Sequence, residues 1–592
     1  MAPVGFENKV AFVWKVADKL RGTFKQHEYG SVMLPLLVLR RMDAVLAPTK
    51  DAVVAKAAGM TDIGPGQDMM LKAVAQQRFY NTSPLTFASM LSDDKHLADQ
   101  LAGYIRRLSK DAYAVMEAYN LDDKIIRMER AGILYAVLSD FADLDVGPSV
   151  VSNEAMGYIF EELLRKFSEM SNETAGEHYT PREVITLMVE LLLGEQTSAA
   201  LTQNPKPVRT VYDPAAGTGG MLMGALHQIT ERNPDAVVKV YGQELNDETW
   251  AIAQSDLMMQ DIDPRQMANG NSLTADAFST DHFDFILANP PYGVDWKGYA
   301  APIKDEHATL GPSGRFGAGL PRVSDGSLLF LQHMLSKMKP TGSRVGIVLS
   351  GSPLFSGQAG SGESEIRRWI LENDWLEGIV ALPDQMFYNT GISTYVWILT
   401  NDKADADRGR VKLVDGRDLG TKMRKSLGDK RKQLTPGAIA QIAQLYGGAL
   451  SEFADDQRVR VLEREAFGFQ RITVERPLLG DAGAPVLKKG KAQPDPKLRD
   501  AENVPLPAGF LDLADGERTE VLREAAEEHL ASEIHPYVPD AWIDHAKTKL
   551  GFEIPFTRQF YVYTPPRPVG EIAREIRDLE GQIQEWMKGL GS

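Results

Sequence analysis

Val208-Arg209-Thr210-Val211-Tyr212 runs straight into Asp213-Pro214-Ala215-Ala216-Gly217-Thr218-Gly219-Gly220. The first half is a short β-rich run and the second is a glycine loop. Met221 to Thr230 then carries helical spacing, and Val237 to Gln243 returns to a strand that ends at Glu244. Strand, glycine loop, helix and strand make the βαβ unit of a doubly wound, nucleotide-binding sheet. A G-x-G alone is weak evidence, and the third glycine of the dinucleotide fingerprint is missing here. The two acids sharpen the reading. Asp213, before the glycines, suits a ligand ammonium, and Glu244, at the second strand end, suits the two hydroxyls of a ribose. That pairing fits an adenosine carrying an amino acid better than it fits a pyrophosphate.

Downstream the strands continue. Gly270-Asn271-Ser272-Leu273 and Asp276-Ala277-Phe278 close the next strand region, where Asn271 or Asp276 can meet an adenine edge. Phe283 to Ala288 reads as a buried strand by its length and apolar content, and it leads into Asn289-Pro290-Pro291-Tyr292. Each proline fixes its own φ and removes a backbone donor. The residue before each is pushed out of the helical region. The loop therefore presents the Asn289 amide and the Pro290 carbonyl as stiff acceptors beside the Tyr292 ring, which suits a planar amino group. Arg344 to Leu349, Leu376 to Leu382 and Thr394 to Thr400 complete the sheet, with helices near Ser327 to Lys337 and Glu363 to Leu371. Ligands of such sheets sit at the carboxyl ends of the strands. Asp213, Glu244 and Asn289 all lie at such ends, so one crevice can hold all three.

The flanking segments are less specific. Residues 1 to about 150 carry apolar residues at helical spacing, with breaks at Gly59 to Gly66 and Asn81 to Pro84 and helical segments over Asp111 to Asn120 and Asp122 to Leu138. A further helix is expected over Val151 to Arg165. Within Gly176-Glu177-His178-Tyr179-Thr180-Pro181-Arg182-Glu183-Val184, Thr180 fits an N-cap, Pro181 the first helical position and Glu183 the third member of a capping box. The HExxH spacing is absent and no metal site is expected. Gly357 to Ser364 has P-loop glycine spacing, but Glu363 stands where the phosphate-binding lysine belongs. It reads as a flexible loop without an ATP site. Asp481 to Pro507 is rich in Pro, Lys, Gly and Asp and reads as a linker or long insertion. In the last segment Ile572, Ile576, Leu579, Ile583 and Trp586 step by four and three, an apolar seam suited to docking on helices of another subunit.

Composition bounds these readings. The chain has 592 residues, 43% hydrophobic and 25% charged, which is ordinary for a soluble multidomain protein. It has no cysteine, which excludes disulfides, Cys-ligated zinc and thiol nucleophiles. Met1 to Lys19 holds no signal-peptide core and no apolar run approaches a membrane span, so a cytoplasmic protein with no membrane partner is expected. The net charge of −16 argues against a chain that coats nucleic acid by itself. Lys403 to Lys432 departs from that balance, with 11 Lys/Arg against 5 Asp.

Taken together, Gly176 to Val184, Asp213 to Gly220, Glu244 and Asn289 to Tyr292 resemble the S-adenosylmethionine-dependent amino methyltransferases. More narrowly, the chain resembles the modification subunit of type I restriction–modification systems. That likeness also rests on Trp14 to Gly22, on Leu382-Pro383 to Thr390-Gly391-Ile392 and on Val538-Pro539-Asp540-Ala541-Trp542, so it spans nearly the whole chain. The resemblance implies a Rossmann-like methyltransferase core, an α/β doubly wound and mostly parallel sheet, with an N-terminal helical domain and a C-terminal helical tail. The expected boundaries are 1–150 for the helical domain, 151–478 for the methyltransferase domain, 479–535 for a linker or insertion and 536–592 for a segment with a docking helix.

Carried over by position, Glu177, His178, Tyr179, Thr180, Pro181 and Arg182 border the methionine part of S-adenosylmethionine. Thr218, Gly219 and Gly220, with Ala216 and Gly217 in the same loop, line its backbone. Asp213 lies near its amino group, Glu244 holds the ribose hydroxyls, and Asn271 or Asp276 meets the adenine. Asn289, Pro290 and Tyr292 are the catalytic residues, with Tyr292 and Phe387 stacking on the target base. An Asn at the first motif position favours adenine N6 over cytosine N4, where the family tends to carry Ser. The implied partners are double-stranded DNA, a second modification subunit, a DNA-specificity subunit and a restriction/translocase subunit, in a bacterial or archaeal cytoplasm. Two other readings stand beside this one: methylation of a glutamine amide in a protein, and a catalytically silent DNA-binding scaffold.

Overall fold

The computed structural model describes residues 15–60, 63–170, 180–194, 207–388, 390–427, 429–448, 456–481, 483–561 and 567–589. Glu177, His178 and Tyr179 lie outside the described residues.

The N-terminal part is helical. Helix α1 (Tyr29–Leu46) is buried along most of its length, and α2 (Asn153–Met170) packs on it. The run expected over Asp122 to Leu138 is two helices, Leu121–Arg130 and Leu134–Asp143. The break falls at Gly132, whose φ of +69° a helix does not accommodate.

Helix α3 (Arg182–Leu193) differs from its expected start. Thr180 does not cap it, and the helix begins after Pro181 without a side-chain cap. The two capping-box side chains are used elsewhere: Thr180 Oγ1 accepts from Asn289, and Glu183 pairs with Lys430. Long-range partners have displaced a local motif.

The main sheet contains β1 (Val208–Asp213), β2 (Val237–Glu244), β3 (Met267–Asn269), β4 (Phe285–Ala288), β5 (Arg344–Ser350), β6 (Leu376–Ala381), β7 (Thr394–Thr400) and β8 (Arg410–Asp415). After the separate hairpin strands β9 (Thr421–Leu427) and β10 (Lys430–Gln433), it is completed by β11 (Val459–Glu463). The order across it is β11-β8-β6-β7-β5-β4-β1-β2-β3. Strands β1 to β5 are parallel to one another. β7 runs antiparallel to both β5 and β6, and β11 antiparallel to β8. The sheet is therefore doubly wound and mostly parallel. Helices cover it, so strands such as β4 and β7 are buried at every residue and read as unbroken apolar runs.

The chain leaves β1 for β2 and β3 on one side and returns to β4 on the other. The switch point thus lies between β1 and β4, where a crevice opens at the carboxyl ends. Helix α4 (Gly220–Arg232) follows β1, and α5 (Asp247–Met259) follows β2. α5 is apolar on opposite sides. Ala251, Met258 and Met259 enter the N-terminal core, while Ala253 and Leu257 enter the core under the sheet. Tyr119 and Ser255 hydrogen-bond across the same junction at 3.2 Å. The helical part and the sheet therefore share one buried element.

Over residues 479–535, expected as a linker or insertion, the structure shows a folded segment. A second sheet is built on β12 (Gly468–Glu475), and the segment supplies the hairpin of β13 (Leu487–Lys488) and β14 (Lys491–Ala492), then β15 (Asp500–Pro505), which pairs with β12 along its length. β16 (Trp542–Ile543) and β17 (Lys549–Phe552) also pair with β12. Helix α6 (Asp515–His529) places Ala526 against Ile472, Val474 and Val504. The composition misled because β15 is a short edge strand with a single fully buried side chain, Val504. Gly357 to Ser364 is likewise no loose loop. Ser361 caps the helix Gly362–Glu372, a Cβ on Gly362 would meet the Leu320 carbonyl oxygen at 1.8 Å, and buried Glu363 accepts from Arg322 N at 2.9 Å.

The chain divides into two compact units at Ile554/Pro555. The second contains a short helix, Phe556–Gln559, and α7 (Val569–Gly589). On α7, Ile572, Ile576, Leu579 and Ile583 are 41 to 52% exposed and Trp586 71%. No described helix is long and apolar enough to cross a membrane.

Candidate active site

β1 delivers Asp213 to a position only 1% exposed. Its Oδ1 accepts from Ala215 N at 2.9 Å, which starts the turn. Gly217 and Gly219 take φ of +55° and +83°, left-handed values that side-chain-bearing residues avoid. Glu244, from the end of β2, ties that loop down: Oε2 accepts from Gly217 N at 2.9 Å and Oε1 from Asn246 N at 2.8 Å. Each oxygen keeps a second lone pair for a ligand hydroxyl. Burial, and secondarily the Glu244 charge, push the Asp213 carboxyl up to about 8 against the pull of the Ala215 N–H. A cation beside it would favour its ionised form.

After β3, Gly270 N donates to Glu244 O at 2.8 Å, and Ser272 Oγ donates to Pro214 O at 2.5 Å. The Gln243 side chain bridges Ala275 O at 2.8 Å and Ala277 N at 3.1 Å. This seats Asn271 and Ser272 on the crevice. Asp276 is elsewhere. Its carboxylate is paired with Lys337 Nζ at 2.5 Å, and both side chains are buried. Of the two residues considered for an adenine edge, only Asn271 reaches the crevice.

β4 ends at Asn289. Its Nδ2 donates to Thr180 Oγ1 at 3.0 Å, and its Oδ1 accepts from the Tyr292 hydroxyl. One of the two lone pairs of the expected acceptor is thus engaged by Tyr292. Tyr292 is turned onto Asn289, and its ring meets Phe387 edge-on, with centroids 5.9 Å apart at 86°. Among the described residues nothing donates to the Pro290 carbonyl. Phe387 is itself held: Lys430 Nζ donates to Met386 O at 2.9 Å and pairs with Glu183 at the start of α3.

These elements enclose one cavity of about 1360 Å³. Thr180, Arg182, Asp213, Ala216, Gly217, Thr218 and Gly220 line one part of it. Glu244, Asn271, Asn289, Pro290, Tyr292 and Phe387 line the rest of the expected site. Pro181, Gly219 and Asp276 do not face it. Gly219 lies behind the loop, where a Cβ would meet the Ala253 Cβ at 3.5 Å. Leu245, Tyr299 and Phe330 also line the cavity without having been singled out in the sequence, and Ile392, noted there only for the family resemblance, joins them. Leu245 was legible, as a large apolar residue directly after an acidic strand end that stays 60% exposed. Tyr299 and Phe330 gave no local signal.

Residues 151–464 match the N-6 DNA methylase family model, and residues 10–141 match the HsdM N-terminal domain model. The MjaIX methylase subunit of a type I restriction enzyme from Methanocaldococcus jannaschii is 25% identical over 70% of this chain and 72% of its own length. The HindI methylase subunit from Haemophilus influenzae is 30% identical over 52% of this chain and 63% of its own length. In fold, the chain resembles a type I restriction–modification methyltransferase subunit from Streptococcus thermophilus, with a TM-score of 0.62 and 22% identity over 78% of this chain and 97% of that one.

Proposed function

The chain belongs to the N-6 DNA methylase family, and we propose that it methylates the N6 amino group of adenine in duplex DNA as the modification subunit of a type I restriction–modification assembly. The observation that carries this reading is the meeting of Asn289, Pro290 and Tyr292 with Asp213 and Glu244 around one cavity. The first three can grip a planar amino group. The two acids can hold an adenosine that bears an amino acid.

S-adenosylmethionine, the methyl donor of this chemistry, brings a methyl group already activated by its sulfonium charge. The protein's task is therefore to bind, orient and prepare the nucleophile. Asp213, ionised, receives the donor's ammonium, and Glu244 offers its two remaining lone pairs to the ribose hydroxyls. Asn271 serves the adenine edge, and Thr180 and Arg182 border the methionine end. The target amine is the weak point, because its lone pair is delocalised into the base. When Asn289 Oδ1 and the Pro290 carbonyl both accept from it, electron density returns to the nitrogen and its geometry moves toward tetrahedral. Asn289 Oδ1 accepts one bond from the Tyr292 hydroxyl and keeps a second lone pair for the amine; stacking of the Tyr292 ring on the base, with Phe387 at the edge, would release that hydroxyl. An amine inside a duplex cannot reach this cavity, so the adenine must be extruded, at a cost of a few kcal/mol.

The exposed apolar residues of α7 supply a docking face for helices of partner subunits, among which we include a DNA-specificity subunit, a second modification subunit and, for restriction, a translocase subunit. Transfer of labelled methyl to duplex DNA, by the chain alone and with its co-purifying subunits, tests the reading. N6-methyladenine is the expected product. Label on cytosine or on a protein glutamine would replace this reading, and no label with any assembly would make the chain a scaffold.

A further inference from the structure

The hairpin of β9 and β10 is out of keeping with its chain. Between Thr421 and Gln433 there are six Lys/Arg and one acid, in a protein of net charge −16. Among the described residues its two strands pair only with each other. Lys432 lies directly opposite Lys422, a like-charge register that folding alone does not favour. Lys430 and Lys432 have counter-charges in Glu183 and Asp384. Lys422, Arg424 and Arg431 are exposed and have no carboxylate partner among the described residues.

The hairpin's position gives these charges a use. Asp429 N donates to Tyr388 O at 3.0 Å, and Arg431 N and Lys432 N donate to Gln385 O at 2.9 and 3.2 Å. At its root, a Cβ on Gly420 would stand 2.7 Å from Pro383 Cβ, so the backbone is seated against that turn. The hairpin is therefore latched, main chain to main chain, onto Gln385 to Tyr388. That segment carries Phe387, which stands against Tyr292 beside Asn289. Phe387, Thr390 and Ile392 line the cavity, so the hairpin is fastened to one of its walls.

We propose that the β9–β10 hairpin is a phosphate clamp for duplex DNA at the mouth of the target-base cavity, with Lys422, Arg424 and Arg431 as its phosphate-binding cations. The clamp rests on the adenine-methylation reading and adds the surface by which the substrate backbone is held. It carries no sequence information, because phosphate contacts position a duplex and base contacts specify it. Lysines on the edges of a hairpin also prevent unwanted strand pairing. That role is indifferent to DNA, so the two are separable.

The test replaces Lys422, Arg424 and Arg431 by Gln, singly and together, in the assembly that methylates duplex DNA. Affinity for a fluorescent duplex is measured against salt concentration, alongside S-adenosylmethionine binding and thermal melting. Each phosphate that a variant no longer neutralises should flatten the slope of log affinity against log salt by about 0.9. The triple variant should lose at least about tenfold in affinity at 0.1 M salt, with donor binding and melting temperature unchanged and turnover restored at saturating DNA. A triple variant with the parent's affinity and salt slope overturns the clamp and leaves the methylation reading standing. A parent assembly that neither binds nor methylates duplex DNA overturns both.

Discussion

Asn289 Nδ2 donates to Thr180 Oγ1 at 3.0 Å, joining the loop after β4 to the residue that leads into α3. The two lie 109 positions apart in the chain. The bond fixes which way the Asn289 amide faces. With the NH₂ held by Thr180, Oδ1 is turned to the side where Tyr292 sits and where its second lone pair could receive a substrate amine.

Thr180→Val keeps the shape and removes the acceptor. A hydrogen bond of this kind is worth about 1 kcal/mol. Methyl transfer should fall by roughly five- to tenfold in kcat, with little change in donor affinity, and Thr180→Ser should restore it. Steady-state kinetics with labelled donor separates these effects. A variant that loses donor binding and keeps kcat would place Thr180 in the methionine site alone.

Tyr292 is expected to have two separable functions. Tyr292→Phe removes the hydroxyl that occupies Asn289 Oδ1 and keeps the ring, so duplex KM should hold or improve. Tyr292→Ala removes the stacking surface, which is worth about 1–3 kcal/mol per base. It should weaken productive DNA binding by ten- to a hundredfold. Equal losses in both variants would show that the hydroxyl itself serves the reaction.

Asp213 makes the stability of the protein pH-sensitive. Its carboxyl is held up to about 8 by burial, with Glu244 adding to the effect, so the folded state keeps a proton that the unfolded chain loses near pH 4. The unfolded chain binds fewer protons across that window, so stability should fall as pH rises from about 4 to about 8 and then level off. Asp213→Asn should remove this decline. Donor affinity should move the opposite way, tightening from pH 6 to 7.5 as the carboxylate becomes available to an ammonium. Urea melts and calorimetric titration across pH check both signs.

Asp276 and Asn271 divide structure from binding. Lys337→Met strands the buried Asp276 carboxylate and should cost roughly 3 kcal/mol of stability. Asp276→Asn should also destabilise, yet the folded protein should bind the donor as the parent does. Asn271→Ala should do the reverse. Denaturant unfolding paired with donor titration distinguishes them.

Much of the architecture was legible because its signals are local. The β1–glycine loop–β2 run carries its own periodicity, and acids at two strand ends imply a shared crevice once the sheet is parallel. The failures share one cause, which is partners distant in sequence. Thr180 and Glu183 read as a capping box because Asn289 and Lys430 are far away in the chain. Asp276 read as a ligand residue because Lys337 was not yet beside it. β15 was left as part of a linker or insertion because the strand that orders it, β12, precedes it by a stretch of polar hairpin. The bond from Tyr292 to Asn289 Oδ1 was hidden in part for the same reason. The Asn289–Tyr292 spacing is local, but the ring that Tyr292 meets edge-on, Phe387, lies far along the chain.

On the proposed mechanism Asn289 Oδ1 and the Pro290 carbonyl together activate an adenine amine, and Asn289→Ala tests this most directly. One such bond in a water-excluded site is worth about 3 kcal/mol of barrier, on the order of a hundredfold in rate. Single-turnover transfer of labelled methyl to duplex DNA should therefore drop by at least that factor, while S-adenosylmethionine binds as tightly as to the parent. Turnover near the parent's rate in Asn289→Ala, with N6-methyladenine still the product, would contradict the account.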